Sequence, residues 1–204
     1  YENRISKGQK ISCNSCHKLD GFGQDNLPFS PGHDGSLGGR SSPTTYNAAI
    51  HIAQFWDGRA PNVEEQAKGP VLNPVEMGMP DPDFVVKVLK SMPGYVEAFK
   101  AAFPGEEDPV TYDNFGKAIG AFQADAFRAD DSPFDRYLRG DRKAMSKNAE
   151  RGMRLFYGKA RCSTCHAGVF QTDHDFHAIG MPQIGPGFDP PEDFGREGFT
   201  GDPT

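Results

Sequence analysis

The sequence contains no long apolar run and no excess of basic residues. No stretch approaches the roughly 18 consecutive apolar residues of a membrane-spanning helix, and the mean hydropathy is −0.62. We therefore expect no membrane span. The 22 Lys and Arg residues are outnumbered by 28 Asp and Glu residues, which gives a net charge of −6. This shortage of positive charge argues against a phosphate-binding surface and against nucleic acid as a partner.

Apolar residues are also scarce for a chain of this length. Only 36% of the 204 residues are hydrophobic, and there is a single tryptophan. Glycine and proline are abundant, with 24 and 17 residues, so regular structure must be interrupted often. A core made of protein side chains alone would be thin. The composition therefore indicates that another group contributes to the interior.

Cysteine is rare, and all four cysteines fall into two copies of one pattern. The copies are residues 13–17 (CNSCH) and residues 162–166 (CSTCH). C-x-x-C-H is the attachment motif of c-type haem, in which two thiols add to the vinyl groups and the histidine ligates the iron. The sequence thus predicts two covalently bound haem c groups. Their attachment residues are Cys13, Cys16 and His17 in the first motif, and Cys162, Cys165 and His166 in the second.

Paired cysteines also occur in disulfides, zinc sites and thioredoxin-like redox sites. A zinc ribbon brings its second pair about 15–20 residues after the first, whereas these motifs lie about 150 residues apart. A redox pair belongs to a βαβ context and requires no following histidine. The recurring histidine therefore favours haem. Because covalent haem attachment takes place outside the cytoplasm in bacteria, we expect a periplasmic protein whose signal peptide is absent from this chain.

Helical periodicity is clearer than strand alternation. Asp83 precedes an apolar stripe at helical spacing, and Thr111 opens a longer amphipathic helix. Residues Ser146 to Tyr157 have the pattern of a capped helix, with Leu155 facing inward, that leads directly into the second haem motif. The predicted fold class is all-α and rich in loops.

The succession of helix, haem motif and loop occurs twice. A polar stretch at residues 128–133 separates the two copies. We expect two cytochrome-c-like domains, residues 1–127 with the first haem and residues 128–204 with the second. After Gly168 the chain is a run of Gly, Pro, Asp and Phe with little periodicity, so the second domain is expected to be incomplete at its C-terminus.

Several strings occur in a fixed order around the haem motifs. They are residues 31–33 (PGH), 42–44 (SPT), 54–60 (QFWDGRA), 65–70 (EQAKGP), 75–77 (VEM) and 132–138 (SPFDRYL). This order resembles the bacterial di-haem cytochrome c peroxidases and their methylamine-utilisation-type relatives over nearly the whole chain. The resemblance implies an enzyme that reduces hydrogen peroxide to water. The electrons would come singly from a small cytochrome c or a cupredoxin.

The resemblance also implies roles for individual residues. His17 would hold the first, peroxidatic iron from the proximal side, and His166 would hold the iron of the second, electron-transfer haem. His33 corresponds to a releasable distal ligand of the first iron, although the DGSLGG sequence after it departs from the gated peroxidases. Glu76 corresponds to the distal acid–base residue and Gln66 to an accompanying amide. Taken alone, Glu76 and His33 would be exposed loop residues.

Three further features follow from the resemblance. Trp56 corresponds to a tryptophan between the haems that assists electron exchange, whereas a lone tryptophan taken by itself indicates core packing. A calcium ion in many relatives uses an asparagine where Ser41 stands here, which argues against calcium. The sixth ligand of the second haem is expected beyond residue 204, since His177 and Met181 follow His166 too closely.

Two other functions stay open from the sequence. A related di-haem enzyme would oxidise a protein or organic substrate, and this alternative stays open because residues 182–187 (PQIGPG) are unlike the gated peroxidases. A plain electron-transfer cytochrome would hold both irons six-coordinate and perform no peroxide chemistry. The electron donor and the oligomeric state, a homodimer included, are left undetermined.

Overall fold

The computed structural model describes residues 1–184 and 192–202. Within these ranges extended backbone pairs only at two isolated bridges, Pro31 with Leu37 and Gln54 with Ala60. The α-helices are α1 Cys13–Cys16, α2 Val63–Leu72, α3 Pro82–Lys90, α4 Pro93–Ala102, α5 Tyr112–Ala126, α6 Pro133–Leu138, α7 Lys147–Phe156 and α8 Glu197–Thr200. Short 3₁₀ turns lie at Asn3–Ile5, Leu19–Gly21, Ala48–Ile50 and Cys162–Thr164. The prediction of a helical chain is confirmed.

The helices begin where capping residues stand. Asp81 caps α3 by accepting a backbone N–H of the first turn, and Pro82 occupies the first helical position. The start expected at Asp83 therefore lies inside the first turn. Thr111 and Ser146 cap α5 and α7 in the same way, at the predicted residues. None of the helices in the described ranges has the length and apolar character needed to cross a bilayer.

The chain divides into two compact units. The first comprises Tyr1–Arg128 together with Met181–Thr204, and the second comprises Ala129–Gly180. The break after Arg128 falls one residue from the boundary expected after Phe127. The described residues from 192 onward belong with the first unit because Arg40 pairs with Asp193, whereas the sequence pattern assigns them to the second domain.

The first unit has a hydrophobic core of its own, built from α2 to α5 and the loop before α3. Its buried members are Ile5, Val71, Met77, Met79, Val85, Leu89, Met92, Phe99, Val110 and Phe115. Gly116 lets α5 approach α2 closely, since a Cβ there would lie 2.7 Å from the Glu64 carbonyl oxygen. The buried Met77 and Met79 anchor the loop that carries Glu76.

The second unit has no such core. The structure describes all of its residues, and none of their hydrophobic side chains is buried; its one buried residue is Glu150. Leu155, expected to face inward from α7, is 52% exposed because no protein element covers it. A unit of this size without buried apolar side chains needs another group to fill its interior.

Candidate functional site

The first C-x-x-C-H motif forms the single turn of α1. The Ser12 N–H donates to Ser15 Oγ at 3.0 Å, which fixes the start of the turn. Cys13 and Cys16 are three residues apart and so share one face of the helix. The His17 N–H donates to the Cys13 carbonyl at 2.9 Å and places the imidazole directly after the turn. Two thiols and one imidazole therefore project from a single short element.

The His17 ring is fixed through one of its nitrogens. Nδ1 lies 3.1 Å from the Gly23 carbonyl oxygen and 3.1 Å from the Pro43 carbonyl oxygen. Because carbonyl oxygens only accept, Nδ1 must carry the proton, and Nε2 keeps its lone pair. Metal-ligating histidines make this same kind of bond with their second nitrogen. The surroundings of His17 thus fit an iron ligand at Nε2.

The second motif repeats this arrangement. His166 Nδ1 lies 3.2 Å from the Gln171 carbonyl oxygen, which again leaves Nε2 available. The Tyr157 hydroxyl donates to the Gln171 side chain, and the Phe156 ring centroid lies 6.1 Å from that of the imidazole. The end of α7 therefore orients His166 through two aromatic side chains.

Exposed apolar side chains follow both motifs. Those after the first motif are Phe22, Leu27, Leu37, Ile50 and Ile52, and those after the second are Val169, Phe170, Phe176 and Ile179. All four cysteines are unpaired thiols. A large, flat, apolar group attached at the thiols would contact such side chains, so the residues present fit haem.

Glu76 lies half-buried in the loop between α2 and α3. Its carboxylate accepts a hydrogen bond from Asn73 Nδ2 at 2.7 Å. Burial raises the pKa of Glu76 above its usual value, and this effect outweighs the lowering by Asn73, Arg59 and His17. Among these influences, the charge of His17 comes from the first motif. A carboxyl with a raised pKa is suited to proton transfer near neutral pH.

The loop of His33 is packed directly on the loop of Glu76. The His33 N–H donates to the Glu76 carbonyl at 2.8 Å. The His33 ring occupies the space beside Gly78, where a Cβ would lie 2.4 Å from two ring atoms. A Cβ at Gly32 would lie 2.1 Å from the Val75 carbonyl oxygen. Two glycines therefore allow the loops to touch and bring His33 and Glu76 together.

Gln66 and Trp56 are placed differently. Gln66 is half-buried on α2, and no hydrogen bond joins it to Glu76 among the residues described. Trp56 is 62% exposed, and its indole N–H donates to the Ser41 carbonyl at 2.9 Å. This exposure excludes the core packing that a lone tryptophan indicates by itself.

An ion-pair network fixes the loop of Trp56. The sequence analysis did not predict this network; its only sequence signal is the Asp-Gly-Arg string directly after Trp56. Asp57 is buried and accepts from Arg40 at 2.7 Å and from Arg59 at 2.8 Å. Burial acts to raise the pKa of Asp57, but the two guanidinium groups outweigh it and the pKa is lowered. Arg40 also pairs with Asp193 at 2.6 Å, and Arg196 donates to the Asp57 carbonyl at 2.7 Å.

The residues considered as late ligands of the second iron lie on the surface. His177 Nε2 bonds Asp173 at 2.8 Å, and both lie close to Cys165, with ligand atoms within 4.8 Å of one another. Met181 is 71% exposed. Residues 185–187 of the PQIGPG stretch lie outside the described residues.

Comparison with known proteins gives concordant matches. The family model for di-haem cytochrome c peroxidase matches residues 1–143. The chain is 46% identical over 169 residues to cytochrome c551 peroxidase of Pseudomonas aeruginosa, covering 83% of this chain and 48% of that protein. It is 38% identical over 181 residues to the methylamine utilization protein MauG of Methylorubrum extorquens, covering 89% and 50%. The chain thus spans about half the length of these curated relatives.

A solved structure gives the same result. The crystal structure of a MauG-like protein associated with microbial copper homeostasis matches with a TM-score of 0.84 and 29% identity, covering 100% of this chain and 63% of that one. The family model alone spans most of the chain, and membership implies haem c as the cofactor. The chain therefore belongs to the di-haem cytochrome c peroxidase family, which confirms the resemblance drawn from its sequence.

Proposed function

We propose that this chain is a periplasmic peroxidase with two covalent haem c groups that reduces hydrogen peroxide to two molecules of water. The observation that carries the proposal is the grouping of His17, Glu76 and His33. The loop of His33 packs on the loop of Glu76, and the Glu76 carboxyl, of raised pKa, interacts electrostatically with His17. Identities of 46% and 42% to two cytochrome c551 peroxidases support the same function.

The residues of this chain supply proton transfer and orientation. Haem held by Cys13, Cys16 and His17 would supply electrons and a coordination position for peroxide. Glu76 takes the first proton of peroxide and returns it to the departing oxygen, a step for which a raised pKa is favourable. Gln66 is assigned an accompanying hydrogen bond to peroxide. His17 would hold the first iron through Nε2, and the contacts of its Nδ1 with two carbonyl oxygens keep the ring orientation fixed.

The second unit is assigned the entry of electrons. Its lack of buried hydrophobic side chains supports a second haem attached at Cys162 and Cys165, with His166 as ligand. The donor is a small cytochrome c or a cupredoxin, and Trp56 assists the passage of electrons to the first haem. Covalent haem attachment is the reason for placing the protein in the periplasm.

Peroxide turnover by the haem-loaded protein tests this function. Two haems per chain are expected by haemochrome assay, and each peroxide consumed should oxidise two molecules of reduced cytochrome c. A protein that exchanges electrons but leaves peroxide intact would be an electron-transfer cytochrome. Peroxide-dependent oxidation of a protein or organic substrate, with reduced cytochrome c left unused, would assign the oxidase alternative.

The contact between His33 and Gly78 makes the role of His33 as a distal ligand of the first iron testable. In Gly78→Ala the new Cβ would meet the ring at 2.4 Å, at a φ of +67° that disfavours side chains. If His33 caps the first iron in the oxidised protein, its displacement should convert the low-spin ferric signal of that haem to high spin in electron paramagnetic resonance. The signal of the second haem should not change.

Gly35→Ala is the matched control for this substitution. Gly35 has a φ of +91°, but a Cβ placed there would meet nothing within 4 Å, so the substitution imposes backbone strain without a collision. The control should keep the low-spin signal. An unaltered first-haem signal in Gly78→Ala would contradict His33 as the distal ligand.

A further inference from the structure

Asp25 is a buried carboxylate for which the proposed peroxide chemistry has no use. It is 8% exposed. Its Oδ2 accepts from Ser30 Oγ at 2.7 Å, and its Oδ1 accepts from the Leu27 N–H at 3.0 Å and lies 3.3 Å from Ser42 Oγ. Within residues 1–184 and 192–202 no lysine or arginine pairs with it. Asp25 is thus a buried anion held by neutral donors.

This anion lies beside the first haem attachment site. Ser42 Oγ, besides facing Asp25, donates to the Cys16 carbonyl at 3.0 Å. Burial raises the pKa of the Cys16 thiol, Ser30 lowers it, and the charge of Asp25 raises it further. The Cys16 sulfur is an atom that joins the haem edge, and the single hydroxyl of Ser42 separates Asp25 from the backbone of Cys16.

We propose that Asp25 sets the reduction potential of the first haem by stabilising its oxidised state. The inference rests on the proposed function only in requiring a haem at the first motif. Ferric haem carries one more positive charge than ferrous haem, so a nearby fixed anion favours the ferric form. Burial protects this interaction from the screening that weakens surface charges.

The two motifs differ in this respect. The carboxylate near Cys165 is Asp173, which is exposed and bonded to His177. An exposed anion is screened by water and salt and has a weak effect on a nearby charge. We therefore assign the effect of Asp25 to the first haem, whose attachment residue Cys16 it adjoins through Ser42.

Asp25→Asn in the haem-loaded protein tests the proposal, since it removes the charge and nearly preserves the shape. In a spectroelectrochemical titration we expect the ratio of reduced to oxidised first haem, at a fixed potential, to rise about tenfold, which equals about 59 mV for a one-electron couple. The second haem should keep its midpoint. Asp25→Glu, which retains the charge, should keep the first haem close to its original midpoint.

Asp20→Asn is the control, because Asp20 is exposed and its loss changes the net charge equally. It should shift neither haem. An unchanged first midpoint in Asp25→Asn, or an equal shift in Asp20→Asn, would overturn the proposal. The titration uses no peroxide, so an inactive protein with a shifted first haem would refute the peroxidase function and leave the role of Asp25 standing.

Discussion

Replacing Glu76 with Gln should lower the rate of peroxide reduction about 10²–10⁴-fold, the usual contribution of a general acid–base group. Gln preserves the shape and can still accept the bond from Asn73, but it cannot take a proton. Steady-state oxidation of reduced cytochrome c by peroxide measures the loss. Transfer of electrons between the haems should be unaffected, and a variant that keeps the full rate would remove Glu76 from the chemistry.

The raised pKa of Glu76 also predicts how activity depends on pH. Only the ionised carboxylate can act as the base, so the rate should fall as the pH drops through a pKa above the ordinary 4.5. The small residual rate of Glu76→Gln should not show this decrease at low pH. If the rates of both proteins fell at the same pH, the decrease would have to be assigned to another titrating group.

Stability measurements separate a catalytic loss from a folding defect. Because the folded-state pKa of Glu76 is raised, its protonated form stabilises the fold, and this contribution is lost as the pH rises through that pKa. Gln has no ionised form. Glu76→Gln should therefore be at least as stable as the wild type at neutral pH, and thermal unfolding should show the difference shrinking in acid.

The second large effect is expected at Asp57. Asp57→Ala should lower the free energy of unfolding by about 2–3 kcal/mol, since it removes hydrogen bonds to two guanidinium groups. Arg59 loses its carboxylate partner, and Arg40 keeps only Asp193. Denaturant unfolding of the haem-loaded protein measures the loss. Because the pKa of Asp57 is lowered, the stabilisation is present above the ordinary 3.8 and is lost as the pH falls through the lower folded-state value.

The same substitution should loosen Trp56. Two neighbouring contacts tie its loop in place: the Arg40 pair with Asp57, and the indole bond to the Ser41 carbonyl. Trp56 is the only tryptophan, so the indole bands in ultraviolet resonance Raman spectra report on this loop alone. We expect the band of the hydrogen-bonded indole to weaken, and electron transfer to the first haem to slow.

Asp193→Asn is the matched control for Asp57→Ala. It weakens the other partner of Arg40 and leaves the Arg40 pair with Asp57 intact. Its side chain is 36% exposed, so the loss of stability should be smaller, and the indole band should be retained. If the two variants changed the indole equally, the loop would be held by the chain after residue 192 rather than by Asp57.

Features encoded by neighbouring residues could be predicted from the sequence. The two haem motifs and the caps at Thr111 and Ser146 are of this kind, because their chemistry acts within a few positions. The packing of His33 on Gly78 and the pairing of Arg40 with Asp193 could not be predicted. These partners lie far apart in the chain and meet only through the tertiary fold.

Leu155 illustrates a different limit. Its spacing on α7 does indicate an inward face, but no protein element among the described residues covers this face. Amphipathic periodicity predicts which side of a helix is buried, but it does not predict which group that side contacts. The same holds for the exposed apolar side chains after both motifs.

The absence of buried hydrophobic side chains from residues 129–180 bears on how the protein matures. The first unit has a hydrophobic core of its own, whereas the second would gain its interior only with the haem proposed at Cys162 and Cys165, as small metal-binding domains gain theirs from the metal. A cell short of haem would therefore accumulate half-folded chains whose second unit is open to proteases. Degradation of that unit would remove unloaded molecules and leave the loaded ones.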